Sequence, residues 1–141
     1  MPRMLASIAS MSLAALLTTT AFGQAVPLQN VTATFSQTQF GGGPWNASEM
    51  INGILSGTDG WAIADVGLAT EAETAAFETV SDLSAGAVAI TIKQNAEGKH
   101  LIGCFRISVT ADNRALFCDG LQTDGDVSAD WTVVTPCRVV V

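Results

Sequence analysis

Gly98–Thr110 reads GKHLIGCFRISVT. From Phe105 onward apolar and polar residues alternate. Phe105, Ile107 and Val109 fall on one side, and Cys104, Arg106, Ser108 and Thr110 on the other. A repeat of two is the signature of a half-buried strand, because successive side chains leave opposite faces of the backbone. The pattern predicts a strand over Leu101–Thr110, with the phenylalanine set in the core. The same stretch holds the only histidine of the chain, His100, at the strand's entry.

The pattern recurs on either side. NVTATFS alternates Val31, Ala33 and Phe35 against threonine and serine, and AVAITIK places Val88, Ile90 and Ile92 on one face. EAETAAFETV is helix-prone by its alanines and glutamates. Its Ala75 and Phe77 nevertheless alternate with β-prone threonines nearby, so a strand over 74–80 is the better reading. WAIADV, ALFC and WTVVTPCRVVV are further strand candidates. Asn46 with Glu49 three residues on is a capping pattern, which predicts a short helical turn stopped by Gly53 and Gly57. Short strands separated by Gly, Asp and Asn turns, without a long helix, predict an all-β antiparallel sandwich or barrel.

The first 25 residues read as a signal peptide: Arg3, an apolar run from about Met4 to Leu17, then small residues allowing cleavage after Gly23 or Ala25. The run is too short to span a bilayer. Export, to the periplasm, cell surface or medium, is therefore expected, and residues 26–141 would form one β-sandwich domain. The chain carries 13 acidic against 6 basic residues, a formal net charge of −7. Without a basic patch it is not expected to bind nucleic acid, and after signal cleavage it has no membrane span.

Cys104, Cys118 and Cys137 lack C-x-x-C spacing, and one histidine cannot complete a zinc site with them. Cys104 and Cys118 flank the turn ADNR, which makes them the pair to form a disulfide if one forms; an odd count leaves one thiol over. The acidic stretch DGLQTDGDVSAD invites comparison with the calcium loop of helix–loop–helix proteins. With Asp124–Gly125 at its turn, however, the loop would begin at Gly120 and end at Trp131, where carboxylates are needed. It reads as an acidic turn. No nucleophile–base constellation and no phosphate loop stand out, so no enzymatic activity is expected.

NVTATFSQTQF, INGILSGTDGWAI, AAFETV and HLIGCFRISVT follow one another in an order that resembles the galactose-binding-like jelly roll, the discoidin or factor V/VIII type C superfamily. More narrowly, the chain is similar to the version carried by large exported planctomycete proteins with cytochrome-c-type domains. The similarity covers 28–110. Asn52 stands where that pattern has the aspartate of I-D-G, and Cys104 where it has the first arginine of G-R-F-R. The resemblance implies a bacterial jelly-roll sandwich. Residues 119–141 would be the start of a following β segment, and the chain a relative or a piece of something larger.

Candidate contacts follow from these readings. Trp45 ends a glycine-rich loop, where an aromatic face could stack on a sugar ring. His100 and Arg106 could donate hydrogen bonds to a ligand; alternatively His100 ties down a loop and Arg106 pairs with a neighbouring carboxylate, as a position in a strand favours. The resemblance implies that Trp61 packs inward, that calcium, where bound, would lie at Asn52, Thr58 and Asp59, and that the ligand would be carbohydrate. Losing the aspartate charge at Asn52 weakens the calcium expectation. The alternative partner is a cell-surface protein, with the domain as a docking module.

Overall fold

A computed structural model describes residues 5–8, 14–19, 25–38, 45–57, 59–64, 72–94 and 104–136. Strand dominates, and helix among these residues is confined to two 3-10 turns, Ala47–Ile51 and Arg114–Leu116. The strands are β1 (Leu5–Ile8), β2 (Ala14–Thr19), β3 (Ala25–Val26), β4 (Leu28–Ala33), β5 (Ala75–Thr79), β6 (Val88–Lys93), β7 (Ile107–Val109) and β8 (Thr132–Val133). They form two antiparallel sheets. The larger has the order β4-β5-β1-β7-β8 and the smaller β3-β2-β6. Two strands, β1 and β2, come from the segment read as a leader.

The expected strands at 31–36, 74–80 and 87–93 correspond to β4, β5 and β6. β5 departs from the expected alternation: all five of its residues are buried. The reason is that both of its faces are covered. Ala75 and Phe77 join a core with Val31, Ala33, Ala47, Met50, Trp61 and Ile63, against which Ile92 of β6 also packs. Ala76 faces the other way and packs with Phe117, beside Val127, Ala129 and Trp131. The rings of Phe117 and Trp131 meet edge to face at 5.4 Å. The chain from 114 to 131 thus forms an irregular layer over the second face.

That layer reverses one expectation. Ser7 of β1 pairs with both Ala76 and Ser108, so Ala76 and Ser108 share the second face. Ser108 is buried, as is Thr110, whose hydroxyl accepts the Asp112 N–H at 3.1 Å. Phe105, expected in the core, is 48% exposed in the irregular stretch that leads into β7. Alternation assigned the faces correctly but not which of them would be covered. ALFC is not a strand: its Ala115 and Leu116 belong to the second 3-10 turn, because Asn113 Oδ1 accepts the Ala115 N–H at 3.1 Å and so caps a helical turn. Trp61–Ala64 is irregular, and of the C-terminal run only Thr132–Val133 is strand among the described residues.

The acidic stretch guards a sheet edge. Leu121 O accepts from Ala33 N at 2.8 Å, Asp124 N donates to Thr34 O at 2.8 Å and Gly125 N to Ala33 O at 2.9 Å. Residues 120–125 thereby satisfy backbone groups on the side of β4 away from β5, where an open edge would invite pairing with another chain. Its carboxylates shape the loop. Asp119 accepts from Leu121 N and Asp126 N, and Asp126 from Ser128 N. The latter bonds hold the Asp126 carboxyl below its ordinary pKa.

Candidate functional site

The sequence-predicted residues concentrate on the excursion between 45 and 62. Its root is closed by backbone bonds: Trp45 N to Gln37 O at 2.9 Å and Ala62 N to Trp45 O at 3.3 Å. Trp45 is half-buried there. Trp61 is fully buried and donates its indole N–H to Phe35 O at 2.9 Å, so it fastens the far end of the loop. Between them the 3-10 turn buries Ala47 and Met50. Asn46 sits at the turn's N-cap, yet its side chain makes no cap bond. The turn's first N–H groups are satisfied from elsewhere: Ala47 N by Ser36 Oγ at 3.3 Å and Ser48 N by Gln122 Oε1 at 3.0 Å.

The exposed rim of this loop carries a compact polar group. The Asn52 amide nitrogen donates to Glu49 Oε2 and to Asp59 Oδ2, both at 2.8 Å, while its oxygen accepts the Ile54 N–H at 2.8 Å. These partners fix the amide's orientation, since only the oxygen can accept and only the nitrogen can donate. The neighbouring Asp59 carboxylate, through a shared hydrogen bond above all, pushes the Glu49 carboxyl above its ordinary pKa, and burial adds to this. Glu49 was missed as a member of this group because the capping pattern directed it back to Asn46. The usable signal was its spacing: residues three apart on a helical turn share a face.

Two of the three residues expected at a calcium ion, Asn52 and Asp59, are therefore together; Thr58 lies outside the described residues. Their arrangement does not fit the ion. Calcium requires about six to eight oxygens. Here the amide turns its hydrogens, not its oxygen, toward two carboxylates. No group of three or more His, Cys, Asp or Glu side chains able to hold a metal occurs among the described residues.

Arg106 is exposed just ahead of β7, and His100 lies outside the described residues. Strand directions place Arg106 at the same end of the large sheet as the 45–62 loop. Ala33 pairs with Ala75, Ala75 with Ile8, and Ile8 with Ile107, so all four lie at that end. Three strand spacings separate β4 from β7, roughly 14 Å.

Cys104 and Cys118, the pair named for a disulfide if one forms, are both free thiols here. Cys104 precedes β7 at the loop end, whereas Cys118 follows the second 3-10 turn and packs on β4. Its thiol donates to Asn30 O at 2.7 Å and accepts from Thr32 Oγ1 at 3.5 Å. Burial, above all, raises the Cys118 pKa, which keeps it in the unreactive thiol form. Cys137 lies outside the described residues.

One constellation, centred on the buried Glu78, had no sequence signal. Between Gln29 and Thr32 the pairing of β4 with β5 shifts by one residue, a bulge, with Asn30 in left-handed backbone at φ 50°. The bulge brings Asn30 Nδ2 to 2.7 Å and Gln29 Nε2 to 3.3 Å from Glu78 Oε2. Arg114 NH1 completes the set at 2.7 Å from Oε1 and 2.6 Å from Oε2. With its oxygens claimed by three donors, Glu78 is built as a fastening for the second layer.

Compared with protein-family models, curated proteins and solved structures, the chain matches none.

Proposed function

We propose that this chain is an exported, non-catalytic binding module of jelly-roll type, related to the galactose-binding-like domains, which takes carbohydrate through loops at one end of the sandwich. The observation that carries this reading is the 45–62 loop, which lies wholly within the segment left after leader removal and carries Trp45 at its root and the polar group of Glu49, Asn52 and Asp59. An aromatic surface beside directed polar groups suits a sugar, whose ring has an apolar face and a hydroxyl edge. A shallow, exposed site of this kind binds weakly. Arg106, exposed ahead of β7, and His100 would add further donors. The analogy of fold alone carries little weight, because function resides in sites.

Export implies removal of the leader, and with it β1 and β2. β5 and β7 would then lose their shared neighbour and rearrange. Terminal sequencing of the protein from its native host checks this: a mature terminus at Gln24 or Val26 supports export, and a retained Met1 overturns it.

The binding test is a glycan array probed with the folded protein, with and without calcium. A defined sugar signal lost in Trp45→Ala, with the melting temperature kept, supports the module. A blank array from a monodisperse sample overturns it. It would favour the second reading, a docking module for a cell-surface protein, for which the exposed Phe105 and the 54% exposed Val133 on edge strand β8 would supply apolar contact.

A further inference from the structure

Among the five asparagines of the chain, only Asn52 is followed by glycine. A glycine amide is the least hindered nucleophile a backbone offers, and it can attack the side-chain carbonyl of the residue before it. Gly53 has φ 84°, and nothing lies within 4 Å of where a Cβ would stand, so the peptide has room to rotate. Asn52 and Gly53 are both exposed to water. The Ile54 N–H bonded to Asn52 Oδ1 withdraws electron density from Cγ, the atom to be attacked. The amide nitrogen that must leave already touches Glu49 and Asp59 at 2.8 Å.

We propose that Asn52 is a self-modification site, at which deamidation through a cyclic imide with Gly53 converts the amide that bridges Glu49 and Asp59 into a third carboxylate. The Gly53 nitrogen gives up its proton and bonds to Cγ of Asn52. The Cγ–Nδ2 bond breaks, and Nδ2 takes a proton and departs as ammonia. Water then opens the imide. Attack at Cγ gives aspartate; attack at the main-chain carbonyl gives the isoaspartyl linkage. No oxidant or reductant takes part, and water is the only co-reactant. The modification removes both bridging N–H donors and adds a negative charge between two others, so the rim changes from self-bridged to self-repelling. It is independent of whether the loop binds sugar.

The test is peptide mapping of the folded full-length chain aged at mildly alkaline pH. Cleavage after glutamate releases Met50–Glu71, which isolates Asn52 from the other asparagines. The expected result is the mass gain of one deamidation in that peptide, with an isoaspartyl fraction, before any other asparagine reacts. The Asp59–Gly60 pair in the same peptide can isomerise only without a mass change, so the two events are distinguishable. Asn52→Gln keeps an amide but disfavours the ring, and its peptide should stay unmodified. An intact Asn52 while another asparagine has reacted overturns the proposal, as does an equal mass gain in Asn52→Gln.

Discussion

The Arg114 guanidinium stands 2.6 Å from the carboxylate of Glu78, joining a half-exposed side chain on the second layer to one only 5% exposed on β5 of the large sheet. Burial alone would raise the Glu78 pKa. The hydrogen bonds from Arg114 and Asn30, with the Arg114 charge and Gln29, outweigh it and hold the group below its ordinary value. Because the folded pKa lies below the unfolded one, this contribution is complete above the ordinary carboxylate range and disappears as pH falls through the folded value. Glu78→Gln should cost about 1–3 kcal/mol at neutral pH and flatten the acid limb of a stability–pH curve. Denaturant melts from pH 7 down to the acid transition measure both. An acid limb unchanged by Glu78→Gln would show that other carboxylates control it.

The thiols should differ in reactivity. Cys104 is exposed, while Cys118 is half-buried, bonded to Asn30 O, and shifted toward the protonated form by burial. Brief alkylation of the native protein near neutral pH should label Cys104 well before Cys118, read by peptide mass. In denaturant, where burial is lost, the difference should vanish. A Cys104–Cys118 disulfide in protein kept from reductant would contradict the placement of the two residues.

The loop over the β4 edge depends on a missing side chain. A Cβ on Gly125 would lie 2.5 Å from Thr32 Cγ2 and 2.7 Å from Ala33 O. The threonine methyl could be trimmed, but the carbonyl belongs to a strand and cannot retreat. Gly125→Ala should therefore destabilise by about 1–3 kcal/mol, as overpacking does. Thr32→Ser in the same chain removes one clash and keeps the hydroxyl, so it should restore only part. Thermal melts of the parent, Gly125→Ala and the double variant decide it. A neutral Gly125→Ala would mean the acidic stretch does not lie against β4.

These three relationships mark where sequence reading stopped. β4, β5 and β6 were legible because alternation over five or six residues is a local property, and the turn at 47–51 because its breakers are adjacent. The burial of Ser108 and exposure of Phe105 were not, since they depend on residues 114–131 folding over one face. Glu78 and Arg114 are 36 positions apart and meet through a one-residue bulge, for which local pattern has no counterpart. At the candidate site, Asn52 and Asp59 were read as neighbours. Glu49 was missed because a strong local motif assigned it elsewhere, and the tertiary partners Ser36 and Gln122 then made that motif unnecessary.

The rim of the 45–62 loop offers the sharpest electrostatic test. In Asn52→Asp the two donors that hold Glu49 and Asp59 apart in charge but together in space are replaced by a third acceptor. The loop loses two hydrogen bonds and gains repulsion, a cost of about 1 kcal/mol at low ionic strength. The repulsion acts between groups at least partly open to water, so added salt should recover part of it but not the lost bonds. The pH response follows from Glu49, already raised in the parent by Asp59. A raised carboxyl pKa contributes stability that is present below the unfolded value and lost as pH rises through the folded one. Asn52→Asp should widen that window, so the variant approaches the parent's stability as the pH is lowered and falls away from it near neutrality. Melting temperatures on a grid of salt and pH would reveal this. A variant as stable as the parent at neutral pH and low salt would show that Asn52 bridges nothing in solution.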